Sequence, residues 1–306
     1  MILAELGRAE LMAFLRQGRL RLRTGPFITQ IASSLESVAS GLATLYGDYP
    51  LPDPEEYTDF SIGLMPGSGL RRWMWPQARF VFDGRPIFEP MPLDHAFPLL
   101  EWSMNWCVAS QAHQYLLLHA AVIERNGAAV LLPAPPGSGK STLCAGLIHA
   151  GWRLISDEMA LVDRDGSGRI WPLCRAVSLK NRSIELIREW APDAEFNRLT
   201  RNTVKGDVTH MRAPALHVAR MQHPAIARWI VFPRWVSDVS PELAQRSRAT
   251  SVIELARNAF NYAQLGDEGF DLLADLVQGC DCYDFRYSTL DEAVEVFDNL
   301  VNSARA

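Results

Sequence analysis

The sequence predicts an α/β protein in two parts, a smaller β-rich α+β domain over residues 1–95 and a larger α/β domain over residues 96–306. Three observations predict it. Residues 20–92 are mostly short alternating apolar runs punctuated by Gly and Pro, the pattern of strands and turns. From about residue 116 apolar strands alternate with helical periodicity, as in a sheet with crossover helices. Between them, an apolar strand at 128–133 runs into a Gly/Pro-rich loop and then directly into a helix.

The elements follow in order. Leu3, Leu6, Leu11, Phe14 and Leu15 recur at helical spacing over residues 2–17. Residues 20–32 read as a strand pair turning at Gly25-Pro26, and 35–46 as a helix. Strands follow at 59–65 and 79–82, with Asp83-Gly84 as a hairpin signal. The Pro-rich stretch from Phe88 to Phe97 marks the domain boundary. Beyond it come a helix at 96–115 and a strand at 116–123, then a strand at 128–133 and a helix at 141–150 ended by Gly151. The strand at 152–156 finishes in Asp157 and Glu158, and 159–162 continues extended. Residues 227–233 form a buried-strand pattern, 251–266 and 269–277 are helical, 282–287 is a strand, and 290–301 closes the chain as a helix capped by Ser288 or Thr289.

Composition removes several function classes. The net charge is −5, from 30 basic and 35 acidic residues. That gives no basic face of the kind nucleic-acid binding needs. No run of 18 apolar residues is present, so no membrane span is expected. The five cysteines, Cys107, Cys144, Cys174, Cys280 and Cys282, form no CxxC pair and read as reduced thiols. The first residues carry acids and lack a long apolar core, unlike a signal peptide. Together these predict a cytoplasmic protein without nucleic-acid or membrane partners.

Residues 134–142, Ala-Pro-Pro-Gly-Ser-Gly-Lys-Ser-Thr, fit the Walker A pattern of a P-loop, with Ala134 where the pattern has its first Gly. Such loops hold ATP with magnesium. Gly137 and Gly139 let backbone N–H groups turn inward around phosphate oxygens, and the following helix adds its positive end. The nucleotide-binding residues expected here are Pro136, Gly137, Ser138, Gly139, Lys140, Ser141 and Thr142. Lys140 reaches the β and γ phosphates, and the Ser141 hydroxyl is placed for magnesium.

Asp157 and Glu158 follow Lys140 by 17 and 18 residues, at the end of the return strand. Adjacent residues on an extended chain point to opposite sides. One acid can therefore accept a proton from a hydroxyl while the other holds magnesium. His119 lies on an apolar strand before the loop, where a histidine is ordinarily a hydrogen-bonded core residue.

Leu118-His119-Ala120-Ala121-Val122, the P-loop 15 residues on, and the acid pair Asp157-Glu158 resemble the catalytic core of the HPr kinase/phosphorylase family, an HPr kinase-like/PEP carboxykinase-like P-loop fold. The chain resembles the HPr kinase-related kinase A subgroup more closely, through residues 101–107, 132–137, 152–158, 178–181, 203–206 and 230–233. The resemblance implies Asp157 as the base, Glu158 on the metal side with Ser141, and His119 supporting Asp157, with Lys140 completing the catalytic set. It implies serine in a peptide or small protein as the phosphate acceptor. HPr kinases form hexamers, which implies a homo-oligomer. Two departures set this chain apart: Glu158 stands for the usual second aspartate, and the Arg-Gly-Leu-Gly type segment after the acids is absent. HPr itself and the reverse phosphorolysis are thus not implied.

Arg175, Lys180 and Lys205 are candidate phosphate or substrate contacts, since cations stabilise a transferring phosphoryl group. Lys205-Gly206 reads as a turn that could close over the nucleotide. Two other readings stay open: a kinase of a small molecule such as an amino acid or sugar, and a P-loop switch or ATPase without kinase activity. The sequence has neither a Leu-Ser-Gly-Gly-Gln nor an Asn-Lys-x-Asp motif, which disfavours ABC-type ATPases and GTPases.

Overall fold

A computed structural model describes residues 1–67, 74–135 and 137–303. It resolves the chain into two compact units with a discontinuous division. One comprises Met1–Val108, Arg175–Ile184 and Asp193–Arg220; the other comprises Ala109–Cys174, Glu185–Pro192 and Met221–Ala306. This division differs from the single boundary expected after residue 95.

The first unit begins as the sequence suggests. Helix Arg8–Arg16 precedes strands Leu20–Thr24 and Phe27–Ser33, which pair antiparallel across the Gly25 turn. Helix Glu36–Leu45 then carries the chain to strand Phe60–Pro66, parallel to Phe27–Ser33. Strand Gln77–Phe82 pairs antiparallel to Phe60–Pro66 and turns at Asp83-Gly84, both at positive φ. That is the backbone a two-residue hairpin needs. Val38, Leu42 and Leu45 of the helix and Leu20, Leu22, Ile31, Leu64 and Phe80 of the strands are fully buried. Gly41 has no room for a side chain because the Phe97 ring lies against it.

Two features of this unit join distant stretches of the chain. Helix Ala96–Gln111 carries Glu101, which accepts a 2.6 Å hydrogen bond from the Tyr46 hydroxyl. Arg175 lies 3.9 Å from the same carboxylate and donates to Asn105. Tyr46, Glu101 and Arg175 are buried, and burial holds the Glu101 carboxyl above its usual range. Strands Val177–Lys180, Gly206–Met211 and Thr200–Thr203 form a separate antiparallel sheet in that order. Arg212 of that region bonds Asp48 at 2.6 Å, and His210 packs edge-on against Phe97. Polar and ring contacts thus return residues from beyond position 174 to the N-terminal unit.

Among the described residues, the second unit is built on one mixed sheet. Its main path runs Arg153–Ser156, Ala120–Arg125, Ala128–Pro133, Ala225–Trp235, Arg169–Trp171, Ala160–Asp163, Tyr115–Leu118. Asp281–Tyr287 lies parallel to the later half of Ala225–Trp235, and Glu242–Gln245 pairs with it on the far side. Ala129, Val130, Leu131 and Leu132 are all fully buried. A continuous apolar run of this kind belongs to a strand covered on both faces. Helices Arg248–Arg257 and Asp267–Gln278 supply Leu255, Leu272, Leu273 and Leu276 to the core that contains Leu131 and Val122. Helices Lys140–His149 and Leu290–Ser303 approach each other so closely that a side chain on Gly146 would meet Leu290 at 2.9 Å. No helix among the described residues is long and apolar enough to cross a membrane.

The apolar run expected as one strand over 116–123 is two. Tyr115–Leu118 pairs with Ala160–Asp163, and Ala120–Arg125 pairs with Arg153–Ser156 and Ala128–Pro133. The chain changes partners at His119, whose N–H bonds the Asn258 carbonyl at 2.7 Å.

A buried ion pair braces the start of this sheet. Arg153 donates through Nε to Glu124 and through Nη1, at 2.9 Å, to the His223 carbonyl; Glu124 also accepts from the Gly127 N–H. Both side chains are at most 5% exposed. Removing one partner leaves the other charge buried and uncompensated, at about 3–5 kcal/mol. Arg153→Ala should lower unfolding stability by that amount in urea titrations; a loss below about 1 kcal/mol would show that the pair is not a structural tie.

Candidate functional site

Register places the candidate residues at one end of the second unit's sheet. Ala120 pairs with Pro133 and Val122 with Leu131, while Ser156 pairs with Val122. His119, Ala134 and the acids after Ser156 therefore leave the sheet at the same level. Strand Ala128–Pro133 ends there, and helix Lys140–His149 begins after the loop.

Gly137 and Gly139 adopt φ of 85° and 90°, the left-handed region open to glycine. At Gly137 an added Cβ would meet nothing within 4 Å; at Gly139 it would lie 2.5 Å from the Tyr287 hydroxyl and 3.0 Å from Trp235 Cβ. The loop is tied on that side. The Trp235 N–H donates to the Ser138 carbonyl at 2.9 Å, and the Tyr287 hydroxyl donates to the Gly139 carbonyl at 3.0 Å. In a planar trans peptide the carbonyl and the next N–H point opposite ways. Tying these two carbonyls to the strand ends aims the N–H groups of Gly139 and Lys140 away from them. At a helix N-terminus such donors have no intrahelical partner and form a site for an anion.

The Lys140 ammonium is buried, and Nζ has no hydrogen-bond partner among the described residues; the Ser138 hydroxyl oxygen is likewise buried and unbonded. An ammonium in that position is costly without a counter-charge. Asp157 is buried nearby: the Cys144 thiol, pushed well up by burial and then by the Asp157 charge, is drawn down by Lys140. Cys144 sits on helix Lys140–His149, so one buried thiol feels both groups. Burial and charge keep it protonated.

His119 and Glu158 meet. The imidazole Nε2 lies 3.4 Å from Glu158 Oε2, and both side chains are about a quarter exposed. The resemblance assigned the histidine to Asp157; the contact seen here is with the second acid. Phe260 packs edge-on against that ring at 5.7 Å. Asn261 clamps the preceding strand, accepting from the Leu117 N–H at 2.9 Å and donating to the Tyr115 carbonyl at 2.8 Å. These positioning residues carry no sequence motif.

The structure thus gathers His119, Gly137, Ser138, Gly139, Lys140, Ser141, Thr142, Asp157 and Glu158 within one unit. Pro136 lies outside the described residues. Arg175, Lys180 and Lys205 belong to the first unit. Arg175 is engaged in the buried Glu101 network described above. Lys180 ends strand Val177–Lys180. Lys205 sits in the turn between Thr200–Thr203 and Gly206–Met211, with Nζ 5.1 Å over the Trp102 ring. The segment read as a loop closing over nucleotide is a hairpin turn, fixed by bonds from the Thr203 hydroxyl to the Gly206 carbonyl and from the Lys205 N–H back to that hydroxyl.

Comparison with known proteins gives two likenesses. The family model described as SynChlorMet cassette protein ScmC matches residues 98–185, under a third of the chain, which hold His119, the loop and both acids. The HPr(Ser) kinase/phosphatase of Coxiella burnetii is a loose structural neighbour, with 13% identity, a TM-score of 0.30, and coverage of 62% of this chain and 95% of that one. No curated protein matches.

The two loop glycines separate two effects. An alanine at Gly137 incurs only the left-handed penalty, about 1–2 kcal/mol. At Gly139 it must also displace the Tyr287 and Trp235 contacts. Gly139→Ala should therefore destabilise the fold clearly more than Gly137→Ala in thermal unfolding; equal losses would mean that the loop does not rest on those strand ends.

Proposed function

We propose that the second unit is a Mg-ATP-dependent kinase of the HPr kinase-like type, transferring the γ-phosphate to a hydroxyl, serine of a peptide or small protein. The observation that carries this reading is the buried Lys140 ammonium, without a hydrogen-bond partner among the described residues, at the start of a helix reached through two left-handed glycines. That cradle fits a polyphosphate. Gly137, Ser138, Gly139, Lys140, Ser141 and Thr142 would hold ATP, and Ser141 with one acid would hold magnesium. A small protein contribution suits magnesium, which retains waters and takes phosphate oxygens as ligands. The bound metal supplies charge neutralisation for the transferring group.

Asp157 would accept the proton of the acceptor hydroxyl as its oxygen bonds to phosphorus and the bond to the leaving diphosphate breaks. Lys140 would stabilise charge on the transferred group. A second assignment draws on the His119–Glu158 contact: a carboxylate oriented by an imidazole is also a suitable base, leaving Asp157, buried on the Lys140 side, to the metal. Cytoplasmic location, a homo-oligomeric state and a peptide acceptor belong to the same proposal.

Label transfer from γ-labelled ATP with magnesium into a lysate of the source cell tests it. Wild type should label a peptide or protein. Removal of a general base lowers the rate about 10²–10⁴-fold. Asp157→Asn should do so with Mg-ATP binding retained, while Glu158→Gln weakens magnesium-dependent binding; the opposite pattern installs Glu158 as base. Label released only as free phosphate, equally in all three proteins, overturns the kinase reading.

A further inference from the structure

The P-loop strand Ala128–Pro133 has different neighbours on its two sides. On one side Ala120–Arg125 and then Arg153–Ser156 lead to His119, Asp157 and Glu158. On the other, Ala225–Trp235 and Asp281–Tyr287 run parallel to it and end in aromatic residues. Ile230 pairs with Leu131, so Trp235, five residues further, reaches the level of the loop itself. In open α/β sheets ligands sit beyond the carboxyl ends of the strands. If phosphate chemistry occupies the acidic side, the rest of a nucleotide lies on the aromatic side.

Trp235 is built for a fixed role there. Its backbone N–H holds the Ser138 carbonyl, and its Cβ lies against Gly139. Its indole Nε1 donates to the Ser288 carbonyl at 3.0 Å, which sets the ring's orientation. The Val236 N–H bonds the Tyr287 carbonyl at 3.0 Å and locks the two strand ends together. Yet the residue is 42% exposed, while Tyr287 beside it is buried. A large, partly exposed aromatic ring with its polar edge satisfied is suited to stacking.

We propose that the Trp235 indole is the platform on which the base of the nucleotide stacks, a subsite separate from the phosphate cradle. The assignment rests on the nucleotide reading above. Because every base has a π-face, the platform takes purines without hydrogen-bond discrimination, so ATP and GTP bind alike while inorganic triphosphate gains nothing from it.

Calorimetric titration of the full chain with magnesium and either ATP, GTP or inorganic triphosphate tests it, using wild type, Trp235→Ala, Trp235→Phe and Lys140→Ala. Stacking on an aromatic side chain contributes enough that Trp235→Ala should weaken ATP and GTP about tenfold and triphosphate less than about twofold, with Trp235→Phe close to wild type. Lys140→Ala should weaken all three. A parallel loss of triphosphate in Trp235→Ala would show a brace for the loop and overturn the platform. Unchanged ATP affinity in Trp235→Ala, with binding still lost in Lys140→Ala, overturns the platform and leaves the nucleotide reading standing. Failure of wild type to bind any of the three overturns both.

Discussion

The candidate site depends on the contact between the loop at Ser138-Gly139 and the ends of two parallel strands. Two loop carbonyls are held there, by the Trp235 N–H and the Tyr287 hydroxyl. Peptide planarity converts this into an orientation for the donors on the other side. Gly139 is required twice, for its left-handed φ and for the missing side chain. Once the loop is tied, the helix from Lys140 starts at a defined point, Lys140 is buried, and the Cys144 thiol on that helix feels both Lys140 and Asp157.

The sheet delivers the rest by register alone. Pairing of Ala120 with Pro133 and of Ser156 with Val122 sets His119 and the acid pair beside the end of the P-loop strand. The break at His119, with its N–H on the Asn258 carbonyl, frees that imidazole from a continuous strand and lets it face Glu158. Phe260 and Asn261 hold the approach. Charge, loop and imidazole converge because strands separated by tens of residues end at one level.

Much of this was legible in the sequence where the physics is local. The 134–142 loop is contiguous, because a backbone cradle must be made of successive residues, and its flanking strand and helix announce themselves by periodicity. The hairpins at Gly25 and Asp83-Gly84 were legible for the same reason. The break at His119 was not, since Leu116 to Ile123 is apolar on both sides of it and only the change of pairing partners divides it. Trp235 and Tyr287 were invisible as parts of the site because they lie roughly a hundred residues and more from the loop they tie. The discontinuous units were not legible, because the Tyr46–Glu101–Arg175 network joins three distant stretches through buried polar groups. Arg175, read as a candidate phosphate or substrate contact, belongs to that network.

Hydrogen–deuterium exchange of peptides spanning residues 134–149, with and without Mg-ATP, tests most directly whether the loop at 134–142 is a polyphosphate cradle. In a cradle, exchange slows only at the loop amides and the first turn of the helix from Lys140, and does not slow when Mg-ATP is added to Lys140→Ala. Unchanged exchange across that segment, at a nucleotide concentration that saturates binding elsewhere on the chain, would contradict it.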